Sequence, residues 1–267
     1  MHALGRCVRF SVNPFLSQES GGFNAFASKP AGEGLSIFLE LGVEVTGEVE
    51  RSTGFVVNVS EIDRIVRECA VPIFAERIRG AFGRGRHVGP YELADMLRSA
   101  QDRLSGKFGT CRVNRLTLKL SPFRNMTMDS REPQMVYFGE KFEFAATHKL
   151  WNSDFSPERN FQAFGKCANP SGHGHNYVVE VTIKRPAGEN GFCVADFERI
   201  VDERFIQLVD HKNLNEDVAE FGRTNPTIEN IAVFAWKNLA GQFGPATGGL
   251  HCVTVWESER TYCSYYG

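Results

Sequence analysis

Net charge is nearly absent from this chain: 30 Lys and Arg against 32 Asp and Glu leave about −2 over 267 residues. Both signs are interspersed, so no basic stripe points to nucleic acid or to an anionic membrane surface as a partner. Long apolar runs are missing too. No segment approaches the ~20 residues that span a bilayer, and the opening MHALGRCVRF lacks the apolar stretch of a secretory leader. The seven cysteines are odd in number and irregularly spaced, which excludes a simple disulfide framework and makes a reducing, cytoplasmic setting the expectation. Histidine is scarce before residue 148, where only His2 and His87 occur. A site built from several imidazoles must therefore lie in the second half.

What is present is an ordinary apolar fraction, 42%, enough to bury a core in one large or two ordinary domains. Internal repetition favours two. Phe38–Val66 reads FLELGVEVTGEVERSTGFVVNVSEIDRIV, and Tyr177–Val201 reads YVVEVTIKRPAGENGFCVADFERIV. Each runs strand, polar turn, Gly-Phe, a short apolar run and a helix ending Arg-Ile-Val. Gly54 and Gly191 are 137 apart, and the same offset relates Leu116-Thr117-Leu118 to Val253-Thr254-Val255. This reads as a tandem duplication with a boundary near residues 125–135, dividing the chain into 1–130 and 131–267.

In the first half, strands are expected over Cys7–Val12 and Leu35–Gly47. One helix carries Ile62, Ile65, Val66, Cys69, Ala70 and Ile73 on a single face, and a second follows Pro90 through Leu93, Met96 and Leu97. Between them GAFGRGRHVG, residues 80–89, reads as a solvated connector rather than a phosphate loop, because no strand precedes it. In the second half, Val136–Ala146 and His175–Ile183 read as strands and Trp151–Ala163 as a long polar loop. A helix from about Asp196 turns Phe197, Ile200, Val201, Phe205 and Leu208 to the core. The next is expected to start with Asn225 as cap and Pro226 in its first turn, burying Ile228, Ile231, Ala232, Ala235 and Leu239. Leu250–Glu257 closes the chain as a strand. The class is α+β, with helices on one face of antiparallel strands.

The chemistry concentrates in FGKCANPSGHGHNY, residues 164–177. His173 and His175 are two apart, so in a strand both imidazoles point to one face. Gly174 adds no side chain between them, and Gly172 lets the chain turn into the strand. His148 ends the preceding strand; three nitrogens with an open fourth position are typical of catalytic zinc, whereas any one of these histidines alone would read as an ordinary core or surface residue. Cys167 sits six residues before His173 in a polar Gly/Asn/Pro loop, where a nearby cation would favour its thiolate as proton acceptor or nucleophile. Cys193 and Cys252, by contrast, read as buried small apolar groups. Asp210-His211 is a proton relay or a plain surface pair. Glu257 is either a solvated strand end or, in a pocket, an acceptor for the paired N–H donors of a heterocycle. Thr227 and Glu229 are equally first-turn helix residues or pocket residues. At the 137 offset, His173, His175, Asp210, His211 and Glu257 fall opposite Ser36, Phe38, Ile73, Phe74 and Leu120, so the site is expected once per chain.

These blocks, together with DHKNLNEDV, PTIENIAVFAW and VTVWESE, resemble the 6-pyruvoyl-tetrahydropterin synthase family of tunnelling (T-) folds, from about Phe142 to Tyr265. The resemblance implies tandem T-fold repeats, the first degenerate and without metal ligands. It implies Zn²⁺ on His148, His173 and His175, Cys167 as proton acceptor, Asp210 and His211 as its relay, and Glu257 anchoring a pterin ring beside Thr227 and Glu229. The implied substrate is 7,8-dihydroneopterin triphosphate, and the implied class is a carbon–oxygen lyase acting on phosphates, in tetrahydrobiopterin biosynthesis. It also implies a homo-oligomer, since such units close into barrels with active sites between subunits.

Related 6-carboxytetrahydropterin synthases of the deazapurine (queuosine) pathway usually space cysteine and histidine more closely than this chain does. A further branch, yielding a hydroxymethyl pterin, replaces the cysteine with glutamate. The spacing and Cys167 favour the pyruvoyl branch. A non-catalytic pterin- or purine-binding protein on the same duplicated fold has no need of the Cys/Asp/His set, and a tandem-repeat purine oxidase fits the duplication but not the zinc histidines.

Overall fold

The structure, a computed structural model, describes residues 1–16 and 35–267. They divide into two compact units, Met1–Phe138 with Arg185–Phe192, and Gly139–Lys184 with Cys193–Gly267.

In the first unit β1 (His2–Val12), β2 (Ile37–Gly47), β3 (Arg112–Lys119) and β4 (Arg124–Asp129) pair antiparallel in that order. Period-two alternation decides which face is covered. Val8, Phe10 and Val12, Leu41, Val43 and Val45, and Leu116 and Leu118 are buried. Their neighbours Arg9, Glu40 and Lys119 carry ion pairs on the other face. Three helices lie between β2 and β3, where the apolar pattern predicts two: α1 (Val59–Cys69), α2 (Val71–Gly83) and α3 (Pro90–Leu104). The single face over Ile62–Ile73 is interrupted at Ala70, because Pro72 cannot donate to the preceding turn and instead opens α2. The stretch 80–89 is helical as far as Gly83, so only its second part is a connector. α1 and α2 pack on β1, and α3 on β3 and β4.

In the second unit β5 (Met135–His148, of which Gly139 onward belongs here) neighbours β6 (His173–Pro186), followed by β8 (Gly249–Ser258) and β9 (Thr261–Tyr265). β8 pairs antiparallel with both β6 and β9. The chain therefore closes on β9, one strand beyond the Leu250–Glu257 segment. The polar stretch 151–163 is not all loop: α4 (Pro157–Phe164) forms there, with Ser156 accepting from the Arg159 N–H and Pro157 in the first turn. α5 (Val194–Val201) continues through a π turn (Asp202–Ile206) into α6 (Gln207–Val209). The extra residue of the π turn rotates the helical face, burying Val209 and leaving Leu208, an expected core residue, exposed. A two-residue strand β7 (Lys212–Asn213) pairs parallel with β5, and the turn α7 (Leu214–Asp217) follows.

Thr227, not Asn225, caps α8 (Ile228–Leu239), accepting from the Asn230 N–H. Its buried face is Ile231, Ala232, Ala235 and Leu239 against β8 and β9. Cys252 is buried as expected, but Cys193 is exposed, just before α5. Both units are α+β with antiparallel strands and helices. No helix among the described residues is long and apolar enough to cross a membrane.

Candidate metal centre

β5 and β6 bring three imidazoles to one point. His148 ends β5, and His173 and His175 occupy alternate positions at the start of β6. Glycine is required for that approach at one position, and a second leaves little room for a side chain. A Cβ on Gly172, whose φ is +66°, would stand 2.9 Å from the His148 carbonyl oxygen. A Cβ on Gly174 would stand 3.2 Å from Thr147 Cγ2. β8 then contributes Glu257: its register with β6 sets Trp256 opposite Val178, which carries the next residue to the same end.

His148, His173, His175 and Glu257 each offer one ligand atom, all within 4.8 Å of one another. His148 Nε2 is 3.1 Å from His173 Nε2. Glu257 Oε1 is 3.2 Å from His175 Nε2 and 3.6 Å from His148 Nε2. A tetrahedral ion with bonds near 2.1 Å separates its ligands by about 3.3–3.4 Å, which these distances bracket. Buried His175 Nε2 also has no aligned hydrogen bond, despite the carboxylate beside it. The group could hold a metal ion.

Electrostatics favour the same use. Burial, first among the causes, pushes His148 and His175 below the ordinary histidine value, so both rings are neutral at neutral pH, the form that can bind a metal. His148 Nδ1 faces the Pro226 carbonyl at 2.8 Å. A carbonyl only accepts, so the proton sits on Nδ1 and the Nε2 lone pair is free for a cation. Residue type alone singles out neither Pro226 nor Tyr177, whose hydroxyl is 3.4 Å from the same Nδ1. Strand alternation does point to Tyr177, which shares the His173–His175 face of β6.

Cys167 lies in a 3₁₀ turn, Gly165–Ala168, with Sγ 3.7 Å from His173 Nε2. Its carbonyl accepts from the Leu150 N–H, tying the turn to the segment after His148. Burial and then the charge of Glu257 raise the thiol above its ordinary value; a cation at the imidazoles would oppose both.

Asp210 and His211 form a built pair in the turn between α6 and β7, hydrogen-bonded to Ala145 of β5. Asp210 Oδ1 accepts from the Ala145 N–H at 2.9 Å, and Oδ2 lies 2.8 Å from His211 Nδ1. His211 is held at φ +56°, a left-handed conformation rare for a residue with a Cβ, and its side chain is 82% exposed. No hydrogen bond or ion pair among the described residues joins this pair to Cys167. His211 does share the walls of a 450 Å³ cleft with Thr147, His175 and Asn176. Thr227 and Glu229 open α8, directly after Pro226.

Residues 138–267 match the family model described as 6-pyruvoyl tetrahydropterin synthase. The chain is 40% identical to the human 6-pyruvoyl tetrahydrobiopterin synthase over 130 residues, 48% of this chain and 88% of that one. The chain belongs to the 6-pyruvoyl tetrahydropterin synthase family. It is also 33% identical to the synthase of Drosophila melanogaster over 141 residues, 52% of this chain and 83% of the relative. The solved Caenorhabditis elegans 6-pyruvoyl tetrahydropterin synthase aligns at 31% identity and TM-score 0.45, covering 50% of this chain and 96% of that one. The family match falls on the histidine-bearing half, so the synthase likeness and the ligand geometry coincide.

Proposed function

We propose that this chain is a zinc-dependent pterin lyase converting 7,8-dihydroneopterin triphosphate to 6-pyruvoyl-tetrahydropterin with loss of triphosphate. The observation that carries this reading is the Cys167 thiol, 3.7 Å from an imidazole that converges with two others. The named synthases among its relatives support the product.

In this reading His148, His173 and His175 hold Zn²⁺, and the ion supplies Lewis acidity at the substrate's side-chain oxygens. Cys167 takes the proton from the adjacent side-chain carbon. Asp210 orients His211, which relays that proton; the exposure of the pair supports a role across a subunit boundary in a homo-oligomer. Glu257 accepts the paired N–H donors of the pterin ring, an arrangement an acceptor-only carboxylate suits. Thr227 and Glu229 form the adjoining wall. The bond broken is the carbon–oxygen bond to triphosphate, which leaves with the electron pair. The ring takes up the two hydrogens that the side chain gives up, so no external redox partner is consumed.

Residues 1–130 are a degenerate T-fold repeat and 131–267 the metal-bearing one. Supporting this, in the first unit two strands precede the helices and two follow, and in the second two long strands, with α4 between them, precede α5 to α8, which β7 interrupts, and two follow. The setting is the reducing cytoplasm, in keeping with seven free cysteines.

Mass spectrometry of products from dihydroneopterin triphosphate, with and without a chelator and with acetaldehyde trapping, separates pyruvoyl, carboxy and hydroxymethyl outcomes. Triphosphate release that survives both metal removal and Cys167→Ala overturns the reading.

A further inference from the structure

His148 is held by a closed loop of interactions that begins and ends on one short segment, Asn225–Pro226. Three residues beyond His148, the Trp151 N–H donates to Asn225 Oδ1 at 2.9 Å. The next residue of that segment returns the contact: the Pro226 carbonyl accepts from His148 Nδ1 at 2.8 Å. The Asn225 carbonyl accepts from both the Thr227 N–H and Asn230 Nδ2, each at 2.8 Å, which fixes the turn and the direction of the Pro226 carbonyl. Pro226 is itself buried, so its carbonyl has little water to exchange with.

A polypeptide leaving a strand end has no intrinsic reason to keep its last side chain in one orientation. Here Asn225 constrains both sides of His148. Its side chain holds the backbone at Trp151, just beyond the Asn215 and Cys167 contacts that hold Lys149 and Leu150, and its own peptide leads into the carbonyl that selects the Nδ1–H tautomer. A group that hydrogen-bonds a ligating histidine directly, as the Pro226 carbonyl does, changes metal affinity by about 10–100-fold when lost, and Asn225 acts through that carbonyl.

Resting on the metal reading above, we propose that Asn225 is a positioning residue of the metal centre. It touches no ligand atom, yet zinc affinity depends on its side-chain oxygen.

The test is zinc affinity of the purified full chain, measured by competition with a chromophoric chelator. Asn225→Ala is expected to weaken zinc binding by about tenfold or more, and Asn225→Asp, which keeps an acceptor for the Trp151 N–H, to stay within about threefold of the parent. If Asn225→Ala does not fold, Asn225→Ser, too short to reach Trp151, serves in its place. A second readout is the tautomer of His148 in the metal-free protein by ¹⁵N NMR, expected to shift from Nδ1–H toward a mixture in the Ala or Ser variant. A merely structural asparagine would change the melting temperature and leave the tautomer alone. Zinc binding by the Ala or Ser variant within twofold of the parent, or equal losses in that variant and Asn225→Asp, overturns this proposal alone. A parent chain that takes up no zinc overturns the metal reading and this proposal with it.

Discussion

Glu257 Oε1 stands 3.2 Å from His175 Nε2, close enough to share a cation with it, yet Glu257 reaches that point from a different strand. Two roles compete for this carboxylate, fourth ligand and pterin anchor. Glu257→Gln separates them. As an anchor, its loss is expected to leave one zinc per chain by elemental analysis and to raise KM for the pterin by about tenfold or more, since a charge-assisted pair is worth about 1.5–3 kcal/mol. Loss of bound zinc would instead make it a ligand.

Cys167 lies beside the imidazoles without being needed to complete four donors. Cys167→Ala is therefore expected to retain zinc while turnover falls about 10²–10⁴-fold, the usual contribution of a positioned acid–base group. His173→Ala should lose both. Parallel metal analysis and triphosphate release on the two variants check the distinction.

His211 pairs with Asp210 from a left-handed backbone position that costs a residue with a Cβ about 1–2 kcal/mol. Such strain persists where function demands the side chain. His211→Gly is expected to leave the melting temperature unchanged or raise it by a few degrees, about 2–4 °C per kcal/mol at this size, while turnover falls. A melting temperature that drops by several degrees would show the imidazole to be structural.

In the first unit, Glu40 bridges Lys119 and Arg9 at 2.5 and 3.0 Å. The hydrogen bond from Lys119, foremost, lowers its value from 4.5 to about 2 against the opposing effect of burial. A folded-state value below the unfolded one contributes stability that is complete above the unfolded-state range. That stability is lost as pH falls toward the folded-state value. Thermal melts between pH 5 and pH 2, about the span from the unfolded to the folded value, are expected to show a fall in stability that Glu40→Gln flattens. An identical pH profile in the variant would remove Glu40 from the account.

How much of the fold and the site is legible in the sequence follows from the range of each interaction. His173 and His175 are readable because two residues on one strand share a face whatever surrounds them. His148 is readable as the end of the neighbouring strand. Leu208 falls on the predicted core face, but one π turn, invisible to a 3.6-residue pattern, rotates the helix by one position and exposes it. Asn225 suits the α8 cap by residue type, yet its side chain serves Trp151 while Thr227 makes the cap. Both residue types fit the position, and only the tertiary partner distinguishes them.

By itself, then, the sequence determined the α+β class, the confinement of any site built from several imidazoles to the second half, and the membership of Cys167 and three histidines in one neighbourhood. Each rests on composition or on local periodicity. The tertiary structure alone decided that Glu257 meets His175, that Pro226 selects the tautomer of His148, and that His211 is presented to solvent from a strained turn. Those depend on the pairing register of β6 with β8 and on a turn some 78 residues beyond His148 in the chain. Contacts that distant are set by packing of the whole unit, which no short window of sequence contains.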